Sequence, residues 1–142
     1  MSDPAAVIHW SAIALGGALG AVLRGLLARL ATAPSSGAGP RFDPAIATLA
    51  ANLAACALLG AWTATAETAR STGADGLTGA LSAFVTIGLC GSLSTFSTLC
   101  ADAARLFCTQ PGLRGGGRAS AYLMAHVVGG PLAWTVGAGL AG

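Results

Sequence analysis

The sequence predicts an all-α membrane protein built from four transmembrane helices. Only 8% of its 142 residues are charged, whereas a soluble domain carries about 25%. Hydrophobic residues make up 54% of the chain, and its mean hydropathy is +0.72. A soluble protein of this length must cover a large surface with polar groups. So few charges cannot do this, and the chain therefore belongs in a bilayer.

The charge balance excludes a nucleic-acid-binding role. The formal net charge is +2, and because the chain has no lysine, all of its basic residues are arginines. They are too few and too evenly spread for the basic footprint that nucleic acid requires. We therefore expect membrane lipid, and no nucleic acid, around this protein.

Charged residues divide the chain into four uncharged runs, at 4–23, 44–66, 76–101 and 119–142. Each run reaches or exceeds the roughly 20 residues that a helix needs to cross about 30 Å of hydrocarbon. We predict a single transmembrane domain, residues 1–142, with four helices named spans 1 to 4, near 9–31, 45–66, 79–101 and 119–140. Acidic Asp3, with no basic segment before the first run, argues against a cleaved signal peptide.

Three segments rich in Pro, Gly and Ser are predicted to link the spans, at 34–44, 67–78 and 111–118. Four spans place both termini on one side of the membrane. The segments on that side hold one arginine, Arg70. The segments on the other side hold five, with Arg24 close by inside span 1: Arg29, Arg41, Arg105, Arg114 and Arg118. Because cytoplasmic segments carry an excess of basic residues, this bias places the termini outside the cell.

Tryptophan and cysteine positions fit a membrane protein without a metal centre. Trp10, Trp62 and Trp134 all fall toward the side that holds the termini, as an interfacial aromatic belt would. The four cysteines form neither a CxxC motif nor a cluster with histidine: Cys56, Cys90, Cys100 and Cys108. We expect them to pack as small apolar residues rather than to form disulfides or bind a metal.

Two polar residues inside the spans are candidates for function, because polar groups in lipid are costly. Asn52, in span 2, is the only asparagine in the chain. It fits a helix–helix hydrogen bond as well as a functional role. Arg24, in span 1, fits a side chain that snorkels to the headgroups, or a positive charge that attracts anions to a vestibule.

Span 3 contains an unusual segment at 88–99, GLCGSLSTFSTL. Glycine lowers helix stability, and Ser and Thr side chains compete for backbone groups. The segment is therefore compatible with an unwound stretch whose free carbonyls suit an alkali cation. It is equally compatible with a Gly/Ser-rich helix in tight packing.

These residues carry a resemblance to the fluoride-specific ion channel family, also called Fluc or CrcB. Residues 16–24, GGALGAVLR, match the family's GGxxGxxxR in the first helix. Asn52 is followed by small residues up to Gly60, as in the family's second helix. Residues 88–99 match GxxGGxTTFSTF, which is the most specific of the three motifs. The resemblance covers all four spans.

The resemblance implies an antiparallel dimer with two pores and a third helix broken at its centre. Backbone carbonyls of Gly91 and Ser94 would hold a structural Na⁺ that is not transported. Fluoride would leave the cytoplasm down its electrochemical gradient, past polar groups and the positive edge of aromatic rings. The resemblance implies a vestibule at Arg24 and a pore lined by Asn52, Phe96, Ser97, Thr98, Leu99, Tyr122 and His126.

The chain departs from the family pattern at four positions. Ser92 replaces the second motif glycine, and Ser94 replaces the first threonine, which matters little if a carbonyl binds the cation. Leu99 replaces the second phenylalanine and removes one ring from the implied pore. His126 stands where the family has serine, one turn after Tyr122, and we expect it to hydrogen-bond within the pore wall rather than to titrate. The run 129–131, Gly-Gly-Pro, predicts a kink in span 4.

Two other classes are compatible with four short spans. A small multidrug exporter would need a carboxylate within span 1, and span 1 has none. A non-conducting or regulatory subunit of a heterodimeric channel fits Leu99 and the one-sided arginines, so both a homodimer and a heterodimer with an oppositely oriented paralogue stay open. No acid–base pair or nucleophile constellation predicts an enzyme.

Overall fold

The computed structural model describes residues 3–35, 39–40, 43–71, 75–109 and 112–142. Span 1 is α1 (Pro4–Thr32), span 2 is α2 (Pro44–Ser71), and span 4 is α6 (Leu113–Ala141). Span 3 is composite. It consists of α3 (Asp75–Ser82), a π-helical segment (Ala83–Cys90), α4 (Gly91–Leu93) and α5 (Phe96–Thr109). All four spans are long and apolar enough to cross a membrane, which confirms a multi-pass, all-α membrane protein.

The first predicted linker, residues 34–44, contains a short antiparallel pair of two-residue strands, β1 (Pro34–Ser35) with β2 (Gly39–Pro40). Arg41, counted above for orientation, lies outside the described residues.

Spans 3 and 4 are longer than predicted at the end where they meet. Span 3 continues to Thr109 rather than 101, and span 4 begins at Leu113 rather than 119. The charges that suggested a boundary are accommodated within α5, because Asp102 and Arg105 pair with each other. Packing of α6 on α5 buries Gly115 and offsets the weak helix propensity of its glycines. Gly112, with φ of 84°, makes the turn before α6.

The same three residues, Asp-Pro-Ala, stand at the starts of spans 1 and 2, with the aspartate just before the first helical residue. The Asp3 carboxylate accepts the Ala5 N–H at 3.0 Å, and the Asp43 carboxylate accepts the Ala45 N–H at the same distance. Each aspartate satisfies one of the free N–H groups at a helix start. The proline that follows has a φ angle already suited to the first helical position.

Glycines allow the helices to pack backbone to backbone in two pairs. On the α2–α6 side, a Cβ at Gly60 would overlap the Trp134 carbonyl, and one at Gly137 would overlap the Ala57 carbonyl. On the other side, α1 packs along the π-helical segment, where a Cβ at Gly16 would overlap the Phe84 carbonyl. Small residues at such crossings replace the hydrophobic driving force that lipid does not supply.

Contacts between span ends show that spans 2 and 3 run antiparallel. At one end the Trp62 indole N–H donates to the Ser82 hydroxyl at 3.2 Å. At the other end Arg105 pairs with Asp43 at 2.5 Å. Trp62 is therefore hydrogen-bonded inside the bundle, whereas Trp10 is exposed in the manner expected of a belt residue.

Candidate functional site

Span 3 leaves helical geometry at Ser94. The Ser94 backbone is extended, with φ of −83° and ψ of 132°, and α5 starts two residues later at Phe96. On the N-terminal side, the Ser92 hydroxyl donates to the Gly88 carbonyl at 2.8 Å. Hydroxyls that bond to the backbone in this way compete with the helical pattern, which accounts for an interruption in this Ser- and Thr-rich stretch.

Asn52 supplies the hydrogen bond that the interruption removes. In a continuous helix the Thr95 N–H would donate to the Gly91 carbonyl. Instead it donates to Asn52 Oδ1 at 3.1 Å. Asn52 is 8% exposed, so its amide is a buried tie between span 2 and the interrupted part of span 3. The Gly91 carbonyl is thereby left without its usual helical donor.

A cavity of about 240 Å³ adjoins this tie, between spans 1, 2 and 3. Its polar lining comes from Arg24, Thr48, Asn52, Thr95, Thr98 and Asp102. The Arg24 Nε is buried and has no hydrogen-bond partner among the described residues. No ion pair involves Arg24 among the described residues, and its charge adds positive potential to the cavity.

Asp102 is a buried carboxylate that the sequence pattern does not reveal, because a charge at this position looks like the end of span 3. It is 7% exposed. Its Oδ2 accepts the Thr48 hydroxyl at 2.7 Å and lies 3.5 Å from the Tyr122 hydroxyl. Its Oδ1 lies 3.6 Å from Arg105. The informative signal was its place six residues beyond Phe96 within an otherwise uncharged stretch, since ionisable residues in spans are functional candidates by default.

Asp43 extends this polar group to the membrane boundary. Arg105 donates to Asp43 at 2.5 Å, and Arg118 lies 4.0 Å away. The hydrogen bond from Arg105 is the main cause that lowers the pKa of Asp43, and the Ala45 N–H adds to it. The pair ties the start of span 2 to the end of span 3.

Tyr122 and Leu99 pack together inside the chain, whereas Phe96 is exposed. Tyr122 is buried in a cluster with Ala45, Leu106 and Ala119, and Leu99 packs against that cluster. His126 follows one turn later, with its ring centroid 4.5 Å from that of Tyr122 and the ring planes at 72°. Its Nδ1 lies 3.0 Å from the Tyr122 carbonyl.

The remaining candidates lie on the outer surface of the single chain. Phe96 is 80% exposed, Ser97 and Gly91 are also exposed, and Ser94 is half-buried. The structure therefore brings Arg24, Asn52 and Thr98 together at the cavity, and keeps Phe96 apart from Tyr122. Any pore that includes Phe96 must be completed by a neighbouring molecule.

The cysteines are free thiols: Cys90 is buried, Cys56 is half-buried, and Cys100 and Cys108 are exposed. Within the described ranges, no group of three or more His, Cys, Asp or Glu side chains is arranged to hold a metal ion.

Comparison with known proteins gives one match. A family described as CrcB-like protein, Camphor Resistance (CrcB), matches residues 11–138. No curated protein is similar enough to count as a match. The matched residues include the whole of the interruption, Asn52 and the cavity lining.

Proposed function

Because this chain belongs to the CrcB family, a family of fluoride channels, we propose that it is a subunit of a fluoride-selective channel. Family membership by itself supports a general role in fluoride transport across a membrane. The proposal adds a direction: fluoride leaves the cytoplasm down its electrochemical gradient, so that the cytoplasmic fluoride concentration falls. No bond is made or broken in this process.

The observation that supports the proposal most directly is the tie between Asn52 and Thr95. It holds an interrupted helix beside a cavity lined by Arg24, whose buried Nε has no hydrogen-bond partner among the described residues. Unwound backbone at membrane depth is stable only where protein buries it or where it lines a cavity. Such a site suits an ion that must exchange water for protein groups.

In this mechanism Arg24 raises the local concentration of fluoride at the cavity. The Asn52 amide and the Thr98 hydroxyl donate to the ion in place of hydration water. The edge of the Phe96 ring is positive, so it attracts the anion without the trapping effect of a fixed charge. Conduction needs sites of this moderate strength, because an ion that binds too tightly does not leave.

Asp102 does not oppose the passage of an anion, since its charge is already compensated. Arg105 lies 3.6 Å from one carboxylate oxygen, and the Thr48 hydroxyl donates to the other at 2.7 Å. Charge-assisted hydrogen bonds of this kind hold the carboxylate and orient the Thr48 side chain. Asp102 thus acts as a positioning residue for groups around the cavity.

The interruption also fits a structural Na⁺, which would be held by the carbonyls of Gly91 and Ser94 from two subunits. The Gly91 carbonyl lacks its helical donor, and Gly91 is exposed where a second subunit can approach. Backbone oxygens are hard ligands that suit an alkali cation. When bound, the cation would supply a positive charge that joins the two subunits.

Leu99 favours a second candidate, in which this chain is the non-conducting or regulatory member of a heterodimer. Leu99 occupies the place of the second ring and packs into the Tyr122 cluster rather than onto an open surface. A partner with both rings would then provide the working pore.

The two candidates are separated by anion efflux from liposomes that contain this chain alone. Rapid fluoride efflux without chloride efflux supports a conducting channel. Flux that appears only after a paralogous subunit is co-reconstituted supports the second candidate. Proton-coupled uptake of organic cations would contradict both and indicate an exporter.

The cation proposal predicts that Na⁺ stabilises the assembled protein, because a ligand that binds only one state shifts the equilibrium toward it. Replacing Na⁺ by a large organic cation should lower the thermal unfolding temperature or the fluoride flux. Ser94→Ala should keep this response, since its carbonyl is unchanged. A Ser94→Ala protein that no longer responds to Na⁺ would assign the cation to the hydroxyl instead.

A further inference from the structure

His126 has one ring nitrogen in a hydrogen bond and one without a partner. Its Nδ1 lies 3.0 Å from the Tyr122 carbonyl. Because a carbonyl oxygen can only accept, Nδ1 must carry the proton and donate it. Neutral imidazole has a single N–H. The Nε2 of neutral His126 is therefore a bare lone pair, and it is buried without a hydrogen-bond partner among the described residues.

The Nε2 atom has opposite effects on an anion in the two protonation states of the ring. In neutral His126 the Nε2 lone pair repels fluoride. Protonation converts Nε2 to an N–H donor and gives the ring a positive charge, and hydrogen bonds between two charged groups are about twice as strong as neutral ones. The family residue at this position, serine, donates at every pH and carries no such dependence.

The titratable and charged groups around His126 come from three elements. On α6 itself the Tyr122 ring contacts His126. On α5, Asp102 lies 3.5 Å from the Tyr122 hydroxyl and is paired with Arg105. On α2, Cys56 contacts α6 beside Gly130, one turn beyond His126. Nε2 is hydrogen-bonded to none of them, so a fluoride ion that reached this atom would meet no competing partner.

We propose that His126 Nε2 is a fluoride ligand only when the imidazole is protonated, so that a fluoride ion and a proton bind to this pore together. The inference rests on the proposed function and on the family resemblance, which implies a pore lined by Tyr122 and His126. By thermodynamic reciprocity, protonation of His126 strengthens fluoride binding and fluoride promotes protonation to the same extent. The net species taken up at this site is equivalent to hydrogen fluoride.

His9 provides a matched control. It is the only other histidine in the chain, and its Nδ1 makes the same contact with the carbonyl four residues earlier, at 2.9 Å from Ala5. Unlike His126 it lies exposed at the start of span 1. Substitution of each histidine by glutamine removes titration while keeping a neutral N–H donor.

The first experiment measures fluoride efflux from proteoliposomes between about pH 8.5 and 6.5, around the usual titration range of histidine. Efflux from protein-free liposomes is subtracted at each pH. Wild-type flux should rise as the pH falls, by at most about tenfold per pH unit for one linked proton. His9→Gln should follow the wild type, and His126→Gln should be flat. If His126→Gln misfolds, His126→Ser takes its place. A flat wild type, or a substituted protein that keeps the slope, overturns the inference.

The second experiment measures proton uptake when sodium fluoride is added to the detergent-solubilised protein in weak buffer, with sodium chloride as the control salt. Wild type and His9→Gln should take up protons, and His126→Gln should not. Equal uptake in all three proteins overturns the inference. If no protein conducts at any pH, this chain alone is not a conducting channel, and proton uptake alone decides the role of His126.

Discussion

At the residue scale, the two proposed pore residues Asn52 and Phe96 differ in their burial and bonding within the single chain. Asn52 is buried and already bonded to the backbone of Thr95. Phe96 is almost fully exposed. The amide therefore has a structural role in every assembly state, whereas the ring acquires its role only in the assembled channel. Substitutions at the two positions should separate stability from conduction.

Asn52→Ala should lower both thermal stability and fluoride flux. It leaves the Thr95 N–H as a buried donor without an acceptor, which costs about 1–3 kcal/mol. Asn52→Ser keeps a small acceptor and should retain part of both properties. Thr65→Ala is a suitable control on the same helix, because the Thr65 hydroxyl bonds only to nearby carbonyls, those of Ala61 and Trp62. Unfolding temperatures in detergent and efflux rates measure the two effects, and wild-type values for both Asn52 variants would remove the tie from the mechanism.

Phe96→Ile should reduce fluoride flux with little change in folding yield. The substitution keeps an apolar side chain but removes the positive ring edge, an interaction of about 0.5–1.5 kcal/mol, which corresponds to roughly a two- to tenfold change in rate. Phe107→Ile is the matched control, because Phe107 is also an exposed ring on α5. Efflux is compared at equal reconstituted protein. Equal flux from wild type and Phe96→Ile would exclude Phe96 from the conduction path.

At the scale of the elements, the polar end of the bundle depends on one carboxylate at the start of span 2. Asp43 caps α2 through the Ala45 N–H, accepts from Arg105 on α5, and lies near Arg118 on α6. It thus links three spans. Asp3 makes the identical cap on α1, but no ion pair involves Asp3 within the described part of the chain.

This link predicts a loss of stability in acid. The hydrogen bond from Arg105 lowers the pKa of Asp43 in the folded protein, relative to about 3.9 in an unfolded chain. The stabilisation is therefore fully present above the unfolded pKa and is lost as the pH falls through the lower, folded pKa. Asp43→Asn should be less stable than wild type at neutral pH, and the difference should vanish in strong acid.

Thermal unfolding in detergent from neutral pH down to about pH 3 measures this convergence. Asp3→Asn is the control, since it alters the same cap without touching an arginine. Its difference from wild type should vary less with pH than that of Asp43→Asn. Parallel stability curves for wild type and Asp43→Asn would contradict the role assigned to the pair.

At the scale of the whole molecule, the sequence predicts the four spans well because the cost of charge in lipid sets their spacing. It also identifies Asn52 and the 88–99 segment, since both contain groups that a plain helix does not need. It fails at Asp102, because a charge near a span end looks the same whether it faces water or pairs internally. The π-helical turn at Ala83–Cys90 has no signal in its apolar residues, and the pairing of α2 with α6 depends on Gly60 and Gly137 meeting carbonyls that are distant in sequence.

The distribution of arginines bears on how two subunits assemble. An antiparallel homodimer needs one sequence to insert in both directions, and so a balanced arginine count on the two sides. Here a single arginine, Arg70, lies on the side of the termini. Opposite it, Arg105 and Arg118 share one carboxylate, that of Asp43. Acidic residues contribute little to orientation, so this pairing does not cancel the excess of arginines on that side. The excess therefore favours one orientation of the chain in the membrane.

We therefore predict a heterodimer with an oppositely oriented paralogue, in which both termini of this chain face outward. Single cysteines are introduced at residues 3, 75 and 116 in a cysteine-free background, because native Cys100 and Cys108 are exposed. A membrane-impermeant reagent added outside the cell should label residues 3 and 75 but not 116.

The chain alone should conduct poorly. Leu99→Phe should not rescue it without the partner, because residue 99 packs against the Tyr122 cluster rather than onto an open surface. Equal labelling of all three positions, together with full fluoride flux from this chain alone, would instead indicate a homodimer that inserts in both orientations.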